Sequence, residues 1–244
     1  MKHEIEKILL ENGASLAGFA NIGSLYGAAD FSGPRNEDSV TGPIDIPRYP
    51  VGVSIVLAYP EDVIRNIGDA PTMDYYDAYH RLNNKLDELA VLCAGYIKEH
   101  GYNAYPQTVA ATKQYGIFRT VMPHKTVAVN AGLGWIGKSA LFITEKYGSA
   151  VRLTSVLTDA PLECNKPVLL PKCGNCDKCV KACPGKAISG RIWSPDLDRD
   201  DFFDAMACRR KAREIAAKYL DKQITLCGKC IEVCPYTRVF TRDA

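Results

Sequence analysis

Eight of the ten cysteines in this 244-residue chain crowd into its last third, and their spacing constrains the fold more than any other feature. The first run is Cys173, Cys176, Cys179 and Cys183, followed by Pro184. The second, Cys227, Cys230 and Cys234, again ends in proline, Pro235, and is one cysteine short of a full copy. Cys208, upstream of it, can complete the set. C-x2-C-x2-C-x3-C-P is the bacterial ferredoxin pattern, in which thiolates hold [4Fe–4S] clusters and the fourth cysteine of a run ligates the other cluster. The pattern therefore predicts two crossed sites. One is Cys173, Cys176, Cys179 and Cys234; the other is Cys183, Cys208, Cys227 and Cys230. Each site ties the two ends of the tail together, so metal is expected to hold a segment too short for a core of its own.

Other uses of these cysteines fit less well. Structural zinc favours paired C-x2-C knuckles over a triple run followed by C-P. Disulfides need an oxidising compartment. Met1 leads straight into a charged amphipathic stretch, Lys2 to Leu10, without a signal-peptide pattern, and the expected location is the reducing cytoplasm. Cys93 falls on an apolar helix face with Leu86, Leu89, Ala90 and Ile97 and reads as core packing. Cys164 lies in a linker and has no assigned role.

The net charge of +2 offers no global argument for nucleic acid binding. No apolar run is long enough to span a bilayer, so no membrane role is expected. The length suits one large domain and one small one, with the boundary placed after Asp159-Ala160-Pro161, giving domains 1–163 and 164–244. Within the first, helices are expected over 2–12, 74–100 and 123–131 and strands over 16–22, 51–58, 102–105, 140–144 and 150–157. Residues 27–50, rich in Gly, Pro and charge, read as a long loop. A charged helix is expected from about 200 to 219. Strands and helices mix without strict alternation, so the fold class is α+β.

Gly132-Leu-Gly-Trp-Ile-Gly-Lys-Ser139 matches the P-loop pattern G-x-x-x-x-G-K-S. A P-loop needs small residues so that backbone N–H groups can wrap a phosphate, and here Trp135 and Ile136 occupy that curve. The following Ala-Leu-Phe-Ile-Thr also reads as strand rather than helix. A tight turn packing Trp135 into a core is the alternative.

The stretch Ala131-Gly-Leu-Gly-Trp-Ile-Gly-Lys138, then Tyr147-Gly-Ser149, then Leu157-Thr-Asp159 ahead of Cys173, resembles the epoxyqueuosine reductases. These are cobalamin-dependent enzymes with two [4Fe–4S] clusters, related to reductive dehalogenases. The resemblance runs from about Tyr75 to Tyr236 and is most specific over 123–183. It implies a nitroreductase-like α/β sandwich that holds base-off cobalamin, followed by a ferredoxin-like module in which one cluster passes electrons to cobalt. It further implies that Phe142, Ile143, Thr144 and Leu153 line the corrinoid site, with Trp135 and Lys138 nearby. Tyr79 and His80 match part of a further family segment. Family members also carry an isolated cysteine ligand between the two runs, where Cys208 stands. An electron donor such as ferredoxin or flavodoxin is implied.

The chain departs from the family at two places. The family's proton-donating Asp aligns, without gaps, with Phe118, and no carboxylate lies between Tyr102 and Gly132. Reductive opening of an epoxide needs an acid near the leaving oxygen. The chain also ends soon after the second cysteine run, where longer members carry a tRNA-binding helical extension, so tRNA contact is unsupported. Both departures imply a reductase of another small molecule or modified base. His124 and Tyr115 are the nearest candidates for a replacement acid; a helix-start residue exposed to solvent is the competing reading of His124. The run Arg209-Arg210-Lys211-Arg213 is either a solvated helix face, a contact for anionic groups, or a charge that raises the potential of a neighbouring cluster. Two alternatives remain at this level. One is an electron carrier or reductive activator of a corrinoid protein, with no organic substrate of its own. The other replaces cobalamin by flavin.

Overall fold

The run Val-Gly-Val-Ser-Ile-Val-Leu-Ala reads as a strand buried on both faces, and the computed structural model, described here for residues 1–26 and 46–242, places it at the centre of a sheet. That strand, β2 (Val51–Ala58), lies in the order β1-β2-β6-β3 with β1 (Leu16–Asn21), β6 (Val151–Thr158) and β3 (Ala104–Pro106). β1 pairs antiparallel with β2, Leu16 facing Val56, and β3 pairs antiparallel with β6, Ala104 facing Thr158. β2 is buried along nearly its whole length because both faces are covered, which explains why its sequence is continuously apolar rather than alternating. Most of the loop expected over 27–50 falls outside the described residues.

Contacts divide the chain into two compact units, each assembled from separate segments. The first comprises Met1–Leu57, Asn83–Leu133 and Arg152–Val168. It contains α1 (Lys2–Glu11), β1, most of β2 and β6, β3, α4 (His124–Asn130) and the C-terminal part of α3 (Met73–Glu99). α3 places Leu86, Leu89, Ala90, Cys93 and Ile97 at no more than 2% exposure, as the 3.6-residue period demands. Gly101, at φ +85°, follows the helix in the left-handed region that a terminating glycine adopts without penalty. α4 buries Val127, Ala128 and Val129; Val127 and Ala131 join Ala20, Ile22, Met122 and Leu157 in an apolar cluster.

The second unit comprises Ala58–Leu82, Gly134–Val151 and Leu169–Ala244. Its elements are α2 (Glu61–Arg65), the first turns of α3, the hairpin β4 (Trp135–Ile136) and β5 (Phe142–Ile143), and the helices α5 (Lys178–Ala182), α6 (Ala205–Leu220), α7 (Lys229–Glu232) and α8 (Pro235–Phe240). α6 starts where the Asp204 side chain accepts the backbone N–H of Ala207, satisfying one of the orphan donors of the first turn. It stops at Asp221, whose φ of 55° is left-handed. The buried residues Ala216, Leu220, Leu226 and Ile231 pack in one cluster with Val63, Ile64, Ile67, Tyr75 and Ala78. The core that the cysteine-bearing tail is too short to build by itself is therefore completed by the rest of its unit. The tail shares an apolar core with residues a hundred or more positions upstream, contacts that no local pattern reveals. Among the described residues no helix is long and apolar enough to cross a membrane.

Candidate metal centre

The Gly-rich segment builds one wall of the centre. Gly132–Ser139 opens no helix. It forms the hairpin β4–β5, with Trp135 opposite Ile143 and Ile136 opposite Phe142. A Cβ at Gly134 would run into the backbone carbonyl of Ile143, so the glycine here serves close strand approach and not phosphate wrapping. Trp135 is 1% exposed and its ring meets that of Tyr236 edge-on, with centroids 5.0 Å apart. Its indole N–H is buried with no acceptor. The match to a P-loop thus ends as a hairpin that packs a tryptophan into the core, because bulky residues at the curve leave the backbone no room to face an anion.

Behind this hairpin the cysteines gather in two groups. The Cys179 thiol is pushed up to about 11, first by burial and then by Cys173, Cys234 and Cys176 beside it. The Cys208 thiol is also pushed up to about 11, by burial and then by Cys183 and Cys227. Cys230 is raised by burial and by Cys208, Cys227, Cys179 and Cys183, so the two groups adjoin at Cys179 and Cys230. All ten cysteines are unbridged. Cys93 is 1% exposed among apolar neighbours, and Cys164 is half-buried with its thiol directed at the Leu162 carbonyl.

A cavity of about 400 Å³ lies in this unit, lined by Cys173, Cys176, Cys179, Cys230 and Cys234 together with Lys138, Ser139, Ile143, Lys172 and Tyr236. Among the described residues no three His, Cys, Asp or Glu side chains converge closely enough for a single metal ion. A cubane carries each thiolate on a different iron, so its ligands stand further apart than four ligands of one ion. Burial favours the neutral thiols, and thiolates are the ligands. Loading metal here therefore expels protons, which couples the centre to pH.

Two lysines hold the ligand loops. Lys138, 8% exposed, donates from Nζ to the carbonyls of Gly174 at 2.8 Å and Cys176 at 2.9 Å. Lys229, inside the second run, reaches the Gly68 carbonyl at 3.1 Å. Lys172 pairs with Glu145 at the cavity and accepts, through its backbone carbonyl, the Tyr236 hydroxyl at 3.3 Å. Lysine–carbonyl bonds of this kind leave no spacing signature, and sequence reading missed the clamp at Lys138 and Lys229 altogether.

Two of the six residues that the family resemblance assigns to a corrinoid lie on this cavity. Lys138 and Ile143 line the cavity. Trp135, Phe142 and Thr144 belong to the same unit and are 3% exposed or less. Leu153 belongs to the first unit and is half-buried on β6. Tyr79 and His80 stack edge-on, 5.2 Å between centroids, in the second unit. Tyr115 and Phe118 sit in the first, where Tyr115 and Arg119 exchange backbone hydrogen bonds and Phe118 takes a left-handed φ of 53°. Arg210 is exposed on α6 while Arg209, Lys211 and Arg213 are half-buried.

His124 opens α4, but it is not simply exposed. Its Nδ1 lies 2.8 Å from Ser155 Oγ, and Gln107 Nε2 donates to the same oxygen at 2.7 Å. Burial, then the nearby Arg152, push the imidazole down to about 4. The unfolded chain would protonate it near 6.5, so between these values the unfolded state binds more protons and stability falls as the pH drops. Urea unfolding should show stability constant above about pH 6.5 and lower by up to about 3 kcal/mol toward pH 4. His124→Gln should flatten that segment of the profile.

The comparisons agree with this geometry. The family model described as a 4Fe-4S double cluster binding domain matches residues 172–237. The epoxyqueuosine reductase of Listeria monocytogenes is 38% identical over 119 residues, covering 46% of this chain and 29% of that protein. The tetrachloroethene reductive dehalogenase of Sulfurospirillum multivorans is 29% identical over 162 residues, covering 59% of this chain and 27% of that one. The solved structure of a catabolic reductive dehalogenase superposes with a TM-score of 0.71 at 20% identity, over 96% of this chain and 31% of that chain. The chain thus spans less than a third of the length of each of these proteins. It resembles the epoxyqueuosine reductases in sequence, shares a mixed α/β fold with reductive dehalogenases, and carries a double [4Fe–4S] cluster domain.

Proposed function

We propose that this protein is an iron–sulfur reductase in which Cys173, Cys176, Cys179 and Cys234 hold one [4Fe–4S] cluster and Cys183, Cys208, Cys227 and Cys230 hold the other, with a corrinoid as the electron acceptor beside them. The observation that carries the reading is the gathering of the eight thiols into two adjoining groups, with the first group and Cys230 of the second lining one cavity. Adjoining clusters make a relay, so an electron accepted at one group is passed to the other without leaving the protein. A bound corrinoid would supply a cobalt centre able to accept low-potential electrons and react with substrate. The chain's part is to hold the clusters, exclude water from them with Trp135, Ile143 and Tyr236, and set their potentials.

Epoxyqueuosine is not the substrate favoured. Phe118 stands where the related enzymes have their acid, and no carboxylate occurs between Tyr102 and Gly132. A half-buried His124, held near 4, is neutral at physiological pH and a poor source of a proton. The absence of a carboxylate equally suits a reductive activator that delivers electrons to a partner corrinoid protein, and one experiment separates the two. Cob(II)alamin is added to anaerobic, cluster-reconstituted protein and its EPR spectrum recorded. The enzyme should convert the cobalt signal to the base-off form at one equivalent; a signal identical to free cobalamin would eliminate the corrinoid-binding reading and leave the activator.

A further inference from the structure

Lys138 belongs to a motif whose usual meaning, phosphate binding, the fold has discarded, yet it is 8% exposed. A buried ammonium is costly unless its donors are satisfied. Here two of its three N–H groups are spent on the carbonyls of Gly174 and Cys176, at 2.8 and 2.9 Å. Those carbonyls belong to the first C-x2-C loop, and Lys138 lines the same cavity as Cys173, Cys176, Cys179 and Cys234 of the first group and Cys230 of the second. The β4–β5 hairpin brings it there: a Cβ at the adjacent Gly137 would lie 3.4 Å from Cys173 Sγ.

We infer that Lys138 is the positioning residue of the first cluster, clamping the Cys173–Cys176 loop and raising that cluster's reduction potential above what its thiolates alone would give. The inference rests on the ligand assignment proposed above. Two physical effects carry it. By donating to the Gly174 and Cys176 carbonyls, Lys138 fixes the conformation of the loop and offsets the negative ends of both dipoles. Its charge also favours the reduced state, because each added electron makes the cluster and its four thiolates one unit more negative. A buried cation is screened little by salt, so the effect should persist at high ionic strength. Lys172 lines the same cavity but is half exposed and paired with Glu145, which cancels most of its field. The second group of thiols has Lys229 near it, but that ammonium also faces Glu232 at 3.3 Å and Asp69 at 3.5 Å. The carboxylate in reach of Lys138, Asp177, is itself paired with Lys181 at 2.7 Å, so Lys138 keeps most of its field; that field is strongest at the first cluster, with Cys230 of the second also on the cavity.

The test is an EPR-monitored redox titration of the full chain with its clusters reconstituted, as wild type, K138Q and K138R. Iron content of the wild type is measured first; fewer than about eight irons per chain would defeat the ligand assignment rather than this inference. With about eight present, K138Q should lower the reduced-to-oxidised ratio of one cluster about tenfold or more at fixed ambient potential, about 59 mV for a one-electron couple, and move the other cluster clearly less. K138R should restore most of it. Two equal, unmoved potentials in K138Q would overturn the inference. Should K138Q load only half its iron, K138R decides. Full loading there supports a clamp that needs a cationic donor, and half loading overturns it.

Discussion

Cys183→Ser combined with Cys208→Ser should cost no more iron than either substitution alone, about four of eight, whereas Cys183→Ser combined with Cys179→Ser should empty the protein. The reason is that Cys183 follows Cys179 closely in sequence but is grouped with Cys208 and Cys227 in space. Its thiol is also near the Ala187 amide, 3.3 Å away, at the turn that carries the chain toward α6. A simple reading of the first run as one site would make Cys179 and Cys183 partners, and the double variant would then retain half its iron. Iron content after anaerobic reconstitution, with EPR of the dithionite-reduced sample to identify the surviving centre, separates the two patterns. The complementary pair, Cys234→Ser with Cys176→Ser, should retain about four irons despite joining residues from opposite ends of the tail. Non-additivity is the signature of shared ligation, just as coupling between neighbouring sites reports contact in double-variant cycles.

Gly148→Ala should unfold the cluster-bearing unit or lower its stability by more than about 4 kcal/mol, outside the range of an ordinary surface substitution. Gly148 has a left-handed φ of 56°, and a methyl group there would lie 2.5 Å from Thr237 Cα. Thr237 cannot retreat. It is 0% exposed, its hydroxyl accepts the Ser149 amide at 3.0 Å, and it sits in the first turn of α8, three residues after Cys234. The damage should therefore travel through α8 to the fourth ligand of the first cluster. Thermal unfolding and iron content of Gly148→Ala, compared with Gly68→Ala as a control with open space around its Cβ, would check this. Equal stability of the two variants would show that α8 can shift without loss, and the tight register between residues 148 and 237 would lose its importance.

Secondary structure was legible wherever a period was long and unbroken. α3 was expected over 74–100 and runs Met73–Glu99; β2 was expected over 51–58 and runs Val51–Ala58. The strand expected over 140–144 shrank to Phe142–Ile143 because Ala140 takes a left-handed φ of 59° in the turn and Thr144 closes onto Gly148. α6 begins at Ala205 rather than near 200 because Asp204, not an earlier residue, supplies the cap. The charged run at 209–213 was ambiguous in sequence since charge alone does not say which face of a helix is covered.

By itself the sequence determined the chemistry of the centre: thiolates in a spacing that serves cubanes and an aromatic Gly-rich segment unsuited to phosphate. These are short-range facts, written in the distances between neighbours along the chain. Only the tertiary structure decided what surrounds that chemistry. It set Lys138 on the carbonyls of a loop 36 residues away, Gly148 against Thr237, and the tail's Ile231 and Leu226 in one apolar cluster with Ile64 and Tyr75. Such contacts depend on how distant segments pack, and packing between distant segments leaves no period, spacing or composition in either segment alone.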